Sequence, residues 1–234
     1  MRPSIIIFAR EPVRHDAKRR LIPRLGASAT AALAGAFIDD ALTKAARLSP
    51  QRLVIAGASS SGAATASKYF CKLASRFDAE IIDQGGGNLG SRMARALAPY
   101  AAGGAILIGT DIPTLPPALL RRSITLLGRV RVVLGPSLDG GYYLLGVRGP
   151  VPGIFKGIEW GADEVLAHTI ALLRRAAIRF TLGPEWYDID RPDDIDLLCA
   201  HLRLLLRSRP NWTDIPCPAT ARVLTRLGLL ETRR

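Results

Sequence analysis

The chain has 234 residues, 48% of them apolar and 22% charged. Those proportions exclude wholesale disorder, collagen and coiled coil, and the length predicts one large domain or one domain with an extension. A net charge of +12, from 32 basic and 20 acidic residues, invites a nucleic-acid reading. The arginines are spread through every segment, though, and 6% aromatic residues leave few stacking platforms. Nucleic acid is therefore disfavoured as the main partner, and an anionic small molecule such as a nucleotide accounts for the charge at least as well. Cys71, Cys199 and Cys217 fit neither zinc-ligand spacing nor a disulfide framework, so a reducing, cytoplasmic setting is expected. The apolar stretch Ile5–Ala9 ends at Arg10, too short for an export signal, and no membrane span is expected.

In chain order, Ser4–Phe8 reads as a buried strand and is followed by a polar loop from Ala9 to Arg24. Ala27–Leu48 carries Leu33, Phe37 and Leu42 at helical spacing, with Ser28 as the candidate cap. Arg52–Gly57 is a second strand, Gly62–Ala74 a helix and Asp78–Asp83 a third strand. Gly85-Gly86-Gly87 breaks the chain before a helix near Gly90. Gly104–Gly109 is the clearest buried strand, with a helix after Pro116-Pro117. Arg131–Gly135 and Tyr142–Val147 flank a Gly-Gly turn. Ala162–Ala177 is an amphipathic helix, Ile178–Leu182 a strand and Pro192–Leu206 the last long helix. Strands alternating with helices predict a largely parallel sheet covered on both faces. The tight turn after Gly135 predicts one antiparallel excursion. The boundaries expected are a domain over 1–207 and an extension over 208–234, packed on the domain or on a second subunit. The apolar Val223–Leu230 helix could serve a dimer.

In open α/β sheets ligands sit at the carboxyl ends of strands, so the loops after each strand are where chemistry is sought. Arg10, Arg14, Lys18, Arg19 and Arg20 follow the first strand; such a loop suits a di- or triphosphate, or is simply solvated. Gly85–Gly90 and Arg92 follow the third strand, a backbone that could approach an anion at a helix N-terminus or an ordinary flexible connection. Asp111, straight after the buried fourth strand, is a candidate divalent-cation ligand; the bland alternative is a cap. Asp139-Gly140-Gly141 reads as a hairpin turn, but the second Gly and Tyr142-Tyr143 exceed what a turn requires. Asp188 and Asp190 alternate along an extended segment, so one of them could join Asp111 on a metal. Asp193 and Asp194 suit a helix N-terminus. No Walker A pattern, Rossmann glycine turn or Ser/Cys hydrolase constellation is present.

These segments together resemble a known family. They are Phe8-Ala9-Arg10-x-Pro12, Lys18-x-Arg20-Leu21-x-Pro23-x-Leu25-Gly26, Leu89-Gly90-x-Arg92-Met93, Gly109-Thr110-Asp111-Ile112-Pro113-x-Leu115, Gly135-Pro136-x-x-Asp139-Gly140-Gly141-Tyr142-Tyr143-Leu144, Phe155-x-Gly157-Ile158-Glu159-Trp160 and Tyr187-Asp188-Ile189-Asp190. The family is that of bacterial GT-A-like nucleotide-diphospho-sugar transferases, long catalogued as a domain of unknown function, some of whose members are linked to arsenosugar biosynthesis. The first and fourth loops are more distantly similar to those of cofactor guanylyltransferases. The chain departs from the family pattern at His15, usually Gly, at Arg19, usually Thr, and at Asn88, frequently Asp.

The resemblance implies a GT-A-like three-layer α/β/α fold with a mixed, mostly parallel sheet. It implies a nucleotide at the first loop and a divalent metal near Asp111, and the expected activity is glycosyl transfer from a nucleoside diphosphate sugar to a small-molecule acceptor, with Mg2+ or Mn2+ on Asp111 and Asp190. Arg10, Lys18, Arg20, Gly90 and Arg92 would serve the nucleotide and its phosphates. Asp139 would contact the acceptor or act as general base, and Gly140, Gly141, Tyr142, Glu159 and Trp160 would line the sugar or acceptor pocket. The alternative is a nucleotidyltransferase that moves NMP from an NTP to a phosphorylated small molecule and releases pyrophosphate. A third reading is a basic nucleotide- or RNA-binding protein without catalysis.

Overall fold

The computed structural model describes residues 2–60, 62–209 and 211–231. Among the described residues seven strands form one sheet: β1 (Ser4–Arg10), β2 (Leu53–Ala58), β3 (Glu80–Asp83), β4 (Ala105–Gly109), β5 (Val132–Pro136), β6 (Tyr142–Val147) and β7 (Phe180–Leu182). Their spatial order is β3-β2-β1-β4-β6-β5-β7. β6 alone runs against its neighbours β4 and β5, and the other pairings are parallel. The antiparallel excursion expected after Gly135 is therefore present.

The helices are α1 (Ile22–Leu25), α2 (Ala27–Ala46), α3 (Lys68–Phe77), α4 (Leu89–Leu97), α5 (Pro117–Leu127), α6 (Val165–Arg175), α7 (Asp194–Ser208) and α8 (Pro218–Arg226). The uninterrupted Ile5-Ile6-Ile7 run follows from cover on both faces of the sheet. Ile5 and Ile7 pack with Ile38 and Leu42 of α2, Phe70 of α3 and Leu120 of α5. Ile6, pointing the other way, packs with Met93 and Leu97 of α4 and Leu173 of α6. All three isoleucines are fully buried, each contributing about 1.5–3 kcal/mol.

Two local expectations need correcting. Ser28 is not a cap: α2 begins behind Gly26, and the Ser28 hydroxyl accepts instead from Arg14, 3.1 Å away. The helix expected from Gly62 starts at Lys68, because Ser67 caps it by accepting the Phe70 amide; Ala64–Ala66 forms a 3-10 turn.

The chain after Ser208 folds back onto the body, Pro210 and residues 232–234 lying outside the described residues. Val223, Leu224 and Leu230 are buried with Leu33 and Phe37 of α2 and Leu202 of α7. The apolar positions that suggested a dimer are thus used within the chain, and that ground for a dimer falls. The anchor is Asp40 of α2, 1% exposed, which accepts from the Ala219 and Thr220 amides and the Thr220 hydroxyl. One turn on, buried Lys44 donates to the Ile112 and Pro113 carbonyls at 3.1 and 2.6 Å. Among the described residues no helix is long and apolar enough to cross a membrane.

Candidate functional site

Three chain segments meet at the carboxyl ends of β1 and β4. The loop after β4 carries Asp111, and its backbone is held by Lys44 from below. The Asp111 carbonyl accepts the Ile189 amide at 2.8 Å, which brings the Trp186–Asp190 segment alongside. That segment is fixed further by Trp186 Nε1 donating to the Thr114 hydroxyl and by Thr114 donating to the Tyr187 hydroxyl. Asp190 lies 79 positions beyond Asp111 in the chain, so only the fold makes them neighbours.

Lys18 stands between them. Its Nζ is 2.7 Å from Asp111 Oδ2 and 3.4 Å from Asp190 Oδ1, and it donates to the Ile189 carbonyl at 2.5 Å. Arg20 pairs with the other oxygen of Asp190 at 2.5 Å. Burial raises the Asp190 pKa, but Lys18 and Arg20 outweigh it and hold the carboxyl below its ordinary range. Capping at this point falls to Asp194, whose Oδ2 accepts the Asp190 and Arg191 amides. Lys18 reaches its position from a left-handed backbone, φ 49°, at the start of the Arg19–Leu21 turn. His15 in the same loop is also left-handed, φ 64°, a conformation glycine adopts at no steric cost; the family pattern has glycine there.

Arg10, Lys18, Arg19, Arg20 and Arg92, together with Asp111 and Asp190, line a cavity of about 490 Å³. Arg92 enters it from α4 over the Phe8 ring, 5.8 Å from its centre. Burial, then the nearby Arg10 charge, lowers the Arg92 pKa, and its Nε finds no acceptor among the described residues. Gln84, 2% exposed, orients it: Nε2 donates to the Ala9 and Ala56 carbonyls, which turns Oε1 toward Arg92. Gln84 was not among the residues singled out above. Its place at the end of β3, just before the glycines, is the only signal the sequence carries. Asn88 caps α4, accepting the Ser91 amide at 2.9 Å.

A second cavity, of about 430 Å³, shares Arg20, Asp111 and Asp190 with the first and extends toward Asp139, Gly141, Tyr142, Trp160, Asp163, Asp188 and Arg191. Trp160 stands edge-on to Tyr142, ring centres 6.5 Å apart, and its Nε1 is buried without an acceptor among the described residues. Burial, then the Asp139 charge, raises the Asp188 pKa; Ser137 Oγ donates to Asp188 at 3.2 Å. The Asp139 carboxylate accepts the Gly141 amide at 3.0 Å and so shapes the turn. Gly140, φ 85°, passes so close to Asp163 that a Cβ would lie 1.8 Å from its carbonyl oxygen.

Three expected residues line neither cavity: Gly140, beside Gly141 which does, Glu159 and Gly90. Glu159 is exposed. Gly90 is buried under Trp160, where a Cβ would come within 2.6 Å of the ring; its missing side chain makes room for the tryptophan that walls the second cavity. Among the described residues no three His, Cys, Asp or Glu side chains converge as a metal-binding group.

Comparison with known proteins places this architecture among nucleotide-utilising transferase folds. A crystal structure from Desulfovibrio desulfuricans G20, a "putative nucleotide-diphospho-sugar transferase", is 27% identical with a TM-score of 0.81, over 98% of this chain and 99% of that one. The inositol-1-phosphate CTP transferase of T. maritima shares the fold at 13% identity and a TM-score of 0.55, over 82% of this chain and 91% of that one. The glucosyl-3-phosphoglycerate synthase of Mycobacterium tuberculosis, solved with Mn2+ and UDP, does so at 12% and 0.50, over 99% and 82%. No curated protein matches the sequence. A family model matches residues 41–162, and the chain belongs to that family, described as "Uncharacterized protein conserved in bacteria (DUF2064)".

Proposed function

We propose that the protein transfers a glycosyl group from a nucleoside diphosphate sugar to a small hydroxyl-bearing acceptor, with a divalent cation at Asp111 and Asp190. The observation that carries this reading is the contrast between two adjoining cavities. The first is lined by five cations and three aspartates, a net positive lining that suits phosphate oxygens. The second is lined by five aspartates and two arginines, with aromatic walls. A nucleotidyl transfer would have to bring a phosphorylated acceptor into that acidic second cavity, against like charge. A sugar and a neutral acceptor meet no such repulsion, and carboxylates suit their hydroxyls. The 27% identity to the Desulfovibrio protein over nearly the whole chain supports the same reading.

Two carboxylates flanking one ammonium nitrogen form a donor set suited to Mg2+ or Mn2+, which are held by one or two carboxylates and otherwise by substrate phosphates and water. A cation bound there would supply Lewis-acid stabilisation of the charge growing on the diphosphate leaving group. Arg10, Lys18, Arg20 and Arg92 would hold the diphosphate. Tyr142 and Trp160 would wall the sugar. Asp139, in the lining of the second cavity, is the candidate general base, able to take the acceptor hydroxyl proton once that oxygen is within hydrogen-bond reach. In this reading residues 1–207 form the transferase domain and 208–234 its extension.

The test is a thermal-shift panel of nucleoside di- and triphosphates, each with and without Mn2+, on the native chain and on Asp111→Asn. Ligand at 100 times its dissociation constant adds about 2.7 kcal/mol. Metal-dependent stabilisation by one diphosphate, absent in Asp111→Asn, is expected. A preference for triphosphate, with pyrophosphate as product, would replace glycosyl by nucleotidyl transfer. No nucleotide-dependent shift would overturn both.

A further inference from the structure

We infer that Lys18 is a resident cation in the seat of the divalent ion, so that the metal enters this site together with a diphosphate and not alone. The inference rests on the nucleotide and metal reading above. Lys18 Nζ touches Asp111 Oδ2 at 2.7 Å, Asp190 Oδ1 at 3.4 Å and the Ile189 carbonyl at 2.5 Å. These are two of the proposed metal donors and a carbonyl from the segment joining them. The lysine side chain is 9% exposed, whereas the carboxylates it bridges are 43% and 39% exposed. The cation is therefore tucked behind donors that still face solvent, which is the placement of a ligand more than of a surface ion pair.

Charge balance makes the seat selective. Asp111 and Asp190 are matched one for one by Lys18 and Arg20, so the four groups are neutral as they stand. A divalent ion entering with Lys18 in place would leave a local excess of two positive charges in a partly desolvated cleft, where like-charge repulsion is poorly screened. Lys18 has an alternative place to go. It lines the same cavity as Arg10 and Arg92, neither of which, among the described residues, has an ion pair other than the 3.4 Å Arg10–Asp16 contact. Arg92 is moreover held toward that cavity by Gln84. A diphosphate arriving there would draw the ammonium off the two carboxylates along its flexible four-carbon stem, and the metal would take up the vacated oxygens. Lys18 would then have two partners in turn: the carboxylates at rest and the phosphates when loaded. Arg20, 70% exposed, pairs with the other oxygen of Asp190 and makes no ion pair with Asp111 among the described residues, so it stands beside the seat and not in it.

The experiment measures Mn2+ binding directly, by loss of the free-ion electron paramagnetic resonance signal, with no turnover required. The native chain and Lys18→Met are each titrated with Mn2+ alone and with Mn2+ plus UDP, GDP, CDP or ADP. The native chain is expected to take up Mn2+ at least tenfold more weakly alone than with its matching diphosphate. Lys18→Met, which keeps the apolar stem and removes the charge, is expected to bind Mn2+ alone at least tenfold more tightly than the native chain. Adding Asp111→Asn to it should abolish that gain. Native binding of Mn2+ alone as tight as binding with a diphosphate would overturn the inference and leave the transferase reading standing. So would a folded Lys18→Met with unchanged affinity for Mn2+ alone. Absence of Mn2+ uptake by the native chain with every diphosphate would overturn the metal reading itself. Should Lys18→Met not fold, the native comparison alone decides.

Discussion

Lys18 and Lys44 make the same kinds of contact and have opposite fates. Each donates to main-chain carbonyls: Lys18 to Ile189, Lys44 to Ile112 and Pro113. Each has carboxylate company, Asp111 and Asp190 for Lys18, Asp40 for Lys44. The difference is access. The partners of Lys18 are 43% and 39% exposed, whereas Lys44 and Asp40 are 3% and 1% exposed and Asp40 is already occupied by the start of α8. A charged group whose partners can still be reached is available to a ligand. One whose partners are sealed is available only to the fold. The two are linked, since Lys44 holds the backbone just beyond Asp111 and so sets where Lys18 finds its acceptor.

Breaking the buried side should cost most. Lys44→Met removes two buried hydrogen bonds from a charged donor, to the Ile112 and Pro113 carbonyls, of which Ile112 keeps the Leu115 amide; the expected loss is about 3–5 kcal/mol, read as a lowered urea midpoint with an unchanged slope. A midpoint within error of the native one would make the two lysines equivalent and dissolve the contrast.

The pH dependence sharpens it. Burial pushes the Lys44 pKa down to about 8, against about 10.4 for an unfolded lysine. Between those values the unfolded chain binds more protons than the folded one, so stability rises with pH across the window. Below about pH 8 the fold carries a buried charge, and above about pH 10.4 that cost is gone. The native chain should therefore gain roughly 3 kcal/mol relative to Lys44→Met between pH 7.5 and 10.5, measured as the difference of paired denaturation curves. A flat difference would show that the Ile112 and Pro113 carbonyls hold the ammonium charged throughout.

The smallest effect lies on the open side. Arg20→Gln removes an ion pair whose cation is 70% exposed, and such pairs contribute about 0.2–1 kcal/mol. Stability should barely move, while metal-dependent nucleotide binding should weaken. A stability loss as large as that of Lys44→Met would make Arg20 a structural residue.

Much of the fold could be read from local pattern. The Ile5-Ile6-Ile7 run needs cover on both sides, and the Asp139-Gly140-Gly141 turn permits no helix between β5 and β6, so the one antiparallel strand was visible before any coordinates. Helix starts were less legible, because Ser28 and Ser67 are chemically alike and only the approach of Arg14 or a free amide tells which one caps. Among site residues, Asp111 and the first-loop cations stand out because a charge directly after a buried strand has few places to go. At Gly90 the structure adds a packing reason for glycine that no local pattern carries: it admits the Trp160 ring.

By itself, then, the sequence determined the alternation of elements, the end of the sheet that carries charge and the residue types available there. Those are properties of short windows, set by apolar periodicity and by turns that only glycine or Asp-Gly can make. Tertiary structure alone decided that Asp190 joins Asp111 around Lys18, that Gln84 aims Arg92, and that α8 is tied through Asp40 to the helix whose Lys44 holds the Asp111 loop. Most of those join residues tens of positions apart, and Gln84, eight positions from Arg92, is itself fixed by the distant Ala9 and Ala56 carbonyls. Burial and distance, which set how strongly two charges act on each other, do not exist until the chain has closed.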